Sequence, residues 1–297
     1  MVVTSPTCLR TYVKSYKSSC FNEKVLAAIA EKTKDINPNR RHGEILVDEK
    51  KLSESLMVHK KVLIDGFVDL GSYSPAGQEG VICDHGLVVL LQPFTGKWQQ
   101  ILGVFGAGGN VKADVLSRII VDAVIFAEKS GLSVDFISCD GASWNRSMWK
   151  MFGITGKLTK TVCKVQHPVD PSQYLHFISD FPHLVKCARN SISSTGLQTP
   201  DGRVSREFVK EARKCDSAST VPLKAMPHAT MAVFQPNGFE KMRVNLAFRF
   251  FSDEVLRGLY VYRHEVESRY GPGSPVATSL FVAMLRDLIA SMTSRHR

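Results

Sequence analysis

The apolar residues of this chain change period between residues 44 and 141, and that change constrains the fold more than any other feature. The runs EILVD (44–48), VLIDGFVDLG (62–71), GLVVLLQPF (86–94) and QQILGVFGAG (99–108) are short, β-rich and bounded by Gly, Pro and polar clusters, so they read as strands. Over VKADVLSRIIVDAVIFAEKSG (111–131) the period becomes helical: Val115, Ile119, Ile120, Val124, Phe126 and Ala127 share a face, and Gly131 supplies a stop. VDFISCDG (134–141) is again a strand, closed by an acid and a glycine, and NRSMWKMFG (145–153) is a short helix. Strands that feed an amphipathic helix and return to a strand predict an α/β unit, a mixed sheet with flanking helices.

The texture differs on either side. Residues 1–42 form a basic lead-in, helix-prone over 10–36 and ended by the break NPNRRHG. From about residue 155, a β-like stretch with prolines precedes segments that read as helices: PHLVKCARNSIS, VSREFVKEARKC, FEKMRVNLAFRFFSDEVLRGLYVYRHEVESRY and SPVATSLFVAMLRDLIASMTSR. The expected organisation is a lead-in (1–42), an α/β domain (43–154) and a mainly α-helical domain (155–297). The chain carries 38 Lys and Arg against 28 Asp and Glu, a net charge of +10. The excess divides as +5 over 1–42, −3 over 43–154 and +8 over 155–297, an acidic middle between basic flanks suited to a polyanionic partner such as DNA or a nucleotide. The seven cysteines are scattered, with no C-x-x-C pair, which argues against a disulfide framework or a zinc site and for a reduced, soluble, intracellular protein. No apolar run is expected to reach the ~20 residues of a membrane span.

Two acids stand out. Asp48 closes the first apolar strand and Asp140 closes the strand after the crossover helix, and in an open α/β sheet neighbouring strand ends are where polar residues converge on a ligand. Carboxylates brought together there repel, and Mg²⁺ or Mn²⁺, which prefer oxygen ligands, would relieve the repulsion. The alternative is that both simply terminate strands at turns. Asp180, two residues before Pro182 at the head of a helix, reads as an N-cap. Asn145 and Arg146 either touch DNA or begin a helix, and Trp144 and Trp149 read as core.

Five segments in order, EILVDEKKLSESLM, KVLIDGFVDLG, SVDFISCDGASWNRSMWKMFG, HFISDFPHLVKCARNSI and FEKMRVNLAFRFFS, resemble the P-element class of transposases, including relatives that carry a THAP zinc finger. The resemblance runs from about residue 43 to the C-terminus. It implies a partial RNase H-like fold followed by a helical insertion domain that binds GTP. It also implies that Asp48 and Asp140 are catalytic metal ligands for DNA hydrolysis and strand transfer, with DNA as partner and a nuclear location. Self-association is a further expectation.

The resemblance also marks losses. Before residue 43 only Cys8, Cys20 and His42 stand where a zinc-finger ligand set would be needed. The family's third catalytic acid is a glutamate after the insertion, a role that neither Glu265 nor Glu267 is expected to fill. The expectation is therefore an incomplete catalytic set, and the alternatives are a non-catalytic DNA- and nucleotide-binding remnant or an unrelated metal nuclease. No G-x-x-x-x-G-K-[ST] loop is present, and GITGKLTK (153–160) and GAGGN (106–110) read as loops. Lysines would then supply charge to the phosphates of GTP, a structural cofactor. The resemblance directs attention to Lys224 and Lys241, with Lys186 and Arg189 as further candidates and a solvated basic helix face as the alternative for each.

Overall fold

A computed structural model describes residues 21–54, 56–58, 64–78, 80–96, 98–157 and 159–294. Cys8, Cys20 and the N-terminal part of the lead-in lie outside these residues. The chain divides into two compact units, residues 1–180 and 181–297.

The first unit is built on a six-stranded sheet of β1 (His42–Lys51), β2 (His85–Pro93), β3 (Gln100–Ala107), β4 (Ser133–Cys139), β5 (Lys164–Gln166) and β6 (Tyr174–Ser179), in the order β3-β2-β1-β4-β6-β5. β1, β4 and β6 run parallel, while β2, β3 and β5 add antiparallel partners. β1 alternates, burying Gly43, Ile45 and Val47, whereas β2 is buried from Gly86 to Leu91 on both faces. Gly43 is required by the pairing: a Cβ there would lie 2.7 Å from the Gln92 carbonyl oxygen.

Helices α1 (Glu23–Thr33), α2 (Ala113–Lys129) and α3 (Ser143–Met151) belong to this unit. Asn22 caps α1 by accepting from the Lys24 amide at 2.9 Å, and Val25 and Ile29, four residues apart, enter the sheet's core. Thr33 Oγ1 donates to the Ser130 carbonyl, tying α1 to the end of α2. α2 buries Val115, Leu116, Ile119, Ile120, Ala123, Val124 and Ala127, and each large side chain so buried stabilises by about 1.5–3 kcal/mol. It stops before Gly131, whose φ of +83° suits a residue without a Cβ. Trp144 and Trp149 pack against the core.

Two expectations are corrected here. The run 62–71 is no strand of the main sheet: of its described residues, Ile64–Asp65 pair only with Met57–Val58, Phe67 and Asp69 make isolated bridges, and Gly66 and Gly71 take positive φ. The α/β unit also continues past residue 154, because β5 and β6 extend the sheet beyond β4 and carry its boundary to residue 180.

In the second unit, α4 (Phe181–Ser194) leads into a two-stranded ribbon (197–199 with 202–204) and α5 (Arg206–Ala218). One-turn helices at Met231–Phe234 and Gly238–Lys241 precede α6 (Val244–Phe250), α7 (Asp253–Val261), α8 (Arg263–Tyr270) and α9 (Val276–Thr293). Phe234, Phe250, Phe251, Val209, Val255 and Val282 form the core. The longer helices fall in the segments the pattern predicts, but the run 239–270 is divided among four helices and Met231–Phe234 is an additional turn. Contrary to the expectation that no apolar run approaches a membrane span, α9 is long and apolar enough by length and composition, with a mean hydropathy of 1.4. It also carries Arg286, paired with Asp253 and Asp287, and packs Val282, Phe281 and Leu285 into the unit's core.

Candidate functional site

The parallel core of the sheet places the two aspartates. Val47 of β1 lies opposite Cys139 of β4, and Asp48 and Asp140 are the next residues of these adjacent strands. Asp48 still pairs with Val88 of β2, so its backbone is held while its side chain is exposed. Asp140 is half-buried and begins the turn into α3. Its Oδ1 accepts from the Ala142 amide at 2.9 Å and from Asn145 Nδ2 at 2.8 Å. Asn145 thus turns inward, to the acid.

Two neighbours escape a reading by strand ends. Glu49 accepts from the Val111 amide at 3.3 Å, and burial pushes its carboxyl above 4.5, with Asp140 and Asp48 adding to the rise and His85 opposing it. His85 Nδ1 donates to Asp84 Oδ1 at 2.8 Å, and this bond, with one from the Gly109 amide, holds Asp84 below its ordinary 3.8. Burial pushes the Cys139 thiol up to about 12, so no thiolate adjoins Asp140 at neutral pH.

Asp180 occupies the corresponding position on the third parallel strand. Ser179 pairs with Cys139, and the Asp180 amide donates to the Cys139 carbonyl at 2.8 Å. Asp180 directly precedes α4 (Phe181–Ser194), the N-cap position expected from the sequence. The sequence signal was ILVD, ISCD and FISD, each with an aspartate just past the last parallel pair, although Asp48 does not close its strand as expected: β1 runs on to Lys51 against β2.

Among the described residues no three His, Cys, Asp or Glu side chains are grouped to hold a metal by themselves. The donor set at Asp48 and Asp140 nevertheless fits Mg²⁺, which binds through one or two carboxylates and takes its remaining ligands from water and phosphate oxygens.

The four basic candidates lie in the second unit. Lys186 and Arg189 are buried one turn apart on α4. Arg189 Nη2 donates to the Glu240 and Lys241 carbonyls at 3.1 and 3.2 Å, and Asn190 Nδ2 donates to the Lys241 carbonyl at 3.3 Å. Arg189 Nε and Nη1 and the Ser193 hydroxyl have no partner among the described residues. Burial lowers the Arg189 pKa, and Glu240 opposes it. α4 therefore holds the backbone that carries Lys241, whose own side chain is exposed. Lys224 belongs to a different turn, donating to the Ser219 carbonyl at 2.6 Å.

A mixed sheet with strand order β3-β2-β1-β4-β6, a crossover helix and aspartates where the parallel pairing stops defines an RNase H-like domain. Residues 17–153 match the family described as TNP-like, RNase H N-terminal domain. The human (Homo sapiens) DNA transposase THAP9 is 22% identical over 257 residues, covering 84% of this chain and 28% of that protein. The Transposable element P transposase of Drosophila melanogaster is 23% identical over 189 residues, covering 62% and 24%. The fold matches the Drosophila P element transposase strand transfer complex with a TM-score of 0.74 at 17% identity, covering 98% of this chain and 59% of that one. The chain is a relative of the P-element-type transposases, and it spans about a quarter of the length of the curated relatives it matches.

Proposed function

We propose that this P-element-like polypeptide acts on DNA in the nucleus, cleaving phosphodiesters and transferring strands with a divalent cation at Asp48 and Asp140 and GTP as a structural cofactor of the second unit. The observation that carries the reading is the register of β1 and β4, in which Val47 faces Cys139 and the two aspartates follow side by side. A cation bound there would activate water or a 3′-hydroxyl and stabilise the displaced oxygen. The protein's part is to present the carboxylates: β2 fixes the backbone of Asp48, and the Ala142 amide and Asn145 orient Asp140. The second unit carries 17 Lys and Arg against 10 Asp and Glu, a surplus suited to DNA phosphates and to a nucleotide. Lys241, Lys186 and Lys224 would supply point charges to GTP, and Arg189 would brace the Lys241 segment. Assembly of copies on paired DNA ends belongs to the same reading.

The test is Mg²⁺- or Mn²⁺-dependent nicking and joining of labelled duplexes in the presence of GTP, with Asp48→Ala and Asp140→Ala as controls. Activity lost in both variants supports the assignment, and activity that survives either one refutes it. A second reading, a non-catalytic module that binds DNA and nucleotide, is favoured by the lack of a third carboxylate grouped with Asp48 and Asp140 among the described residues. It predicts DNA binding that weakens steeply with salt and no cleavage at any metal concentration.

A further inference from the structure

We infer that Asn145 is a positioning residue for Asp140: its carboxamide, together with the Ala142 amide, occupies Oδ1 and leaves Oδ2 as the oxygen that meets a divalent cation. The inference rests on the metal-site reading above. Asn145 is only 5% exposed, and a buried carboxamide is costly unless it is bonded. Its Nδ2 spends itself on one residue, at 2.8 Å from Asp140 Oδ1 and 3.4 Å from the Asp140 carbonyl oxygen.

Helix formation does not require this residue. Asn is a poor former in a helix interior, and the N-cap of α3 is Ala142, which makes no side-chain capping bond. What the bond does is remove freedom at Asp140, which lies beyond the last residue of β4 and is followed by Gly141, at the point where the chain leaves the sheet. Without it only the Ala142 amide would hold Oδ1, and the carboxylate would turn more freely about its side-chain bonds. With Oδ1 held twice, the charge is presented in one orientation before any cation arrives, and that entropy is lost on folding rather than on binding. Partners that orient a ligating carboxylate in this way typically change metal affinity 10- to 100-fold when removed.

The experiment is a Mn²⁺ titration of the full chain, with free Mn²⁺ read by electron paramagnetic resonance. It compares the parent with Asp140→Ala, Asn145→Ala and Asn145→Thr, while thermal midpoints in chelator report folding. The expected result is that Asp140→Ala abolishes the site and both Asn145 variants weaken it about tenfold or more. These titrations are made at temperatures where every variant is folded, so a purely structural role would lower the midpoint and leave the Mn²⁺ dissociation constant unchanged. Asn145→Thr fills more of the vacated volume and decides the matter if Asn145→Ala does not fold. A parent that binds Mn²⁺, an Asp140→Ala that does not, and Asn145 variants that bind like the parent would overturn this inference alone. A parent that binds none, or an Asp140→Ala that binds as the parent does, would overturn the metal-site reading and this inference with it.

Discussion

Asp216 in α5 is fully buried, and its replacement by alanine should cost the second unit about 3–5 kcal/mol. Its Oδ1 accepts from the Ala225 amide at 2.7 Å and the Tyr262 hydroxyl at 3.1 Å, and its Oδ2 accepts from the Met226 amide at 3.2 Å and Arg213 Nη1 at 3.1 Å. Ala225 and Met226 are themselves buried, so truncation strands two amides at about 1–3 kcal/mol each. Arg213 adds less, because it also donates to the Ala229 carbonyl and reaches solvent. Asp216→Asn keeps one acceptor oxygen and should lose roughly half as much. Urea unfolding followed by far-UV circular dichroism reads the helices, while Trp98, Trp144 and Trp149, the three tryptophans of the chain, all report on the first unit. Burial pushes the Asp216 carboxyl up, but the bonds from Ala225, Met226, Tyr262 and Arg213 outweigh it and hold the group below 3.8. The stabilisation is therefore fully present above pH 3.8 and is lost as pH falls through the lowered value. The gap between parent and Asp216→Ala should stay constant from neutral pH downward and narrow only below that point. A loss under about 1 kcal/mol at neutral pH, or a gap that widens on acidification, would refute the reasoning.

Glu128 titrates in the opposite sense. Burial pushes it above 4.5, with Asp135 and Asp170 adding to the rise and the Val134 amide and His167 opposing, so its contribution is fully present below pH 4.5 and is lost as pH rises through the raised value. Glu128→Gln keeps an acceptor for the Val134 amide and should gain on the parent across that rise in tryptophan-monitored thermal midpoints; parallel curves would count against it. Lys241→Ala should weaken the binding of a fluorescent GTP analogue about tenfold, the loss of roughly 1.4 kcal/mol of charge attraction, and unchanged binding would remove Lys241 from the proposed nucleotide site.

The parts of the fold written in consecutive residues were legible, and the parts made by distant pairing were not. α2 declared itself through Val115, Ile119, Ile120, Val124 and Ala127, all buried at helical spacing, with Phe126 only partly so, and β1 and β4 through apolar runs closed by aspartate. The run 62–71 is equally apolar, yet Gly66 and Gly71 adopt positive φ and break the extended path; composition alone does not separate a strand from such a loop. The boundary at residue 180 was missed because β5 is three residues long and β6 borrows its place from β4, with Phe177 opposite Ile137, so local pattern says little about membership. The same distinction governs the site. Asp48 and Asp140 stood out because each closes an apolar run, whereas Asn145 is visible only once α3 folds its amide back onto Asp140. Lys241 is joined to α4 through its carbonyl, by Arg189 and Asn190 more than fifty residues earlier, a bond no side-chain pattern encodes. Charge segregation pointed to the kind of partner, whereas position comes from register: one residue of slip between β1 and β4 would send Asp48 to the opposite face of the sheet and separate it from Asp140.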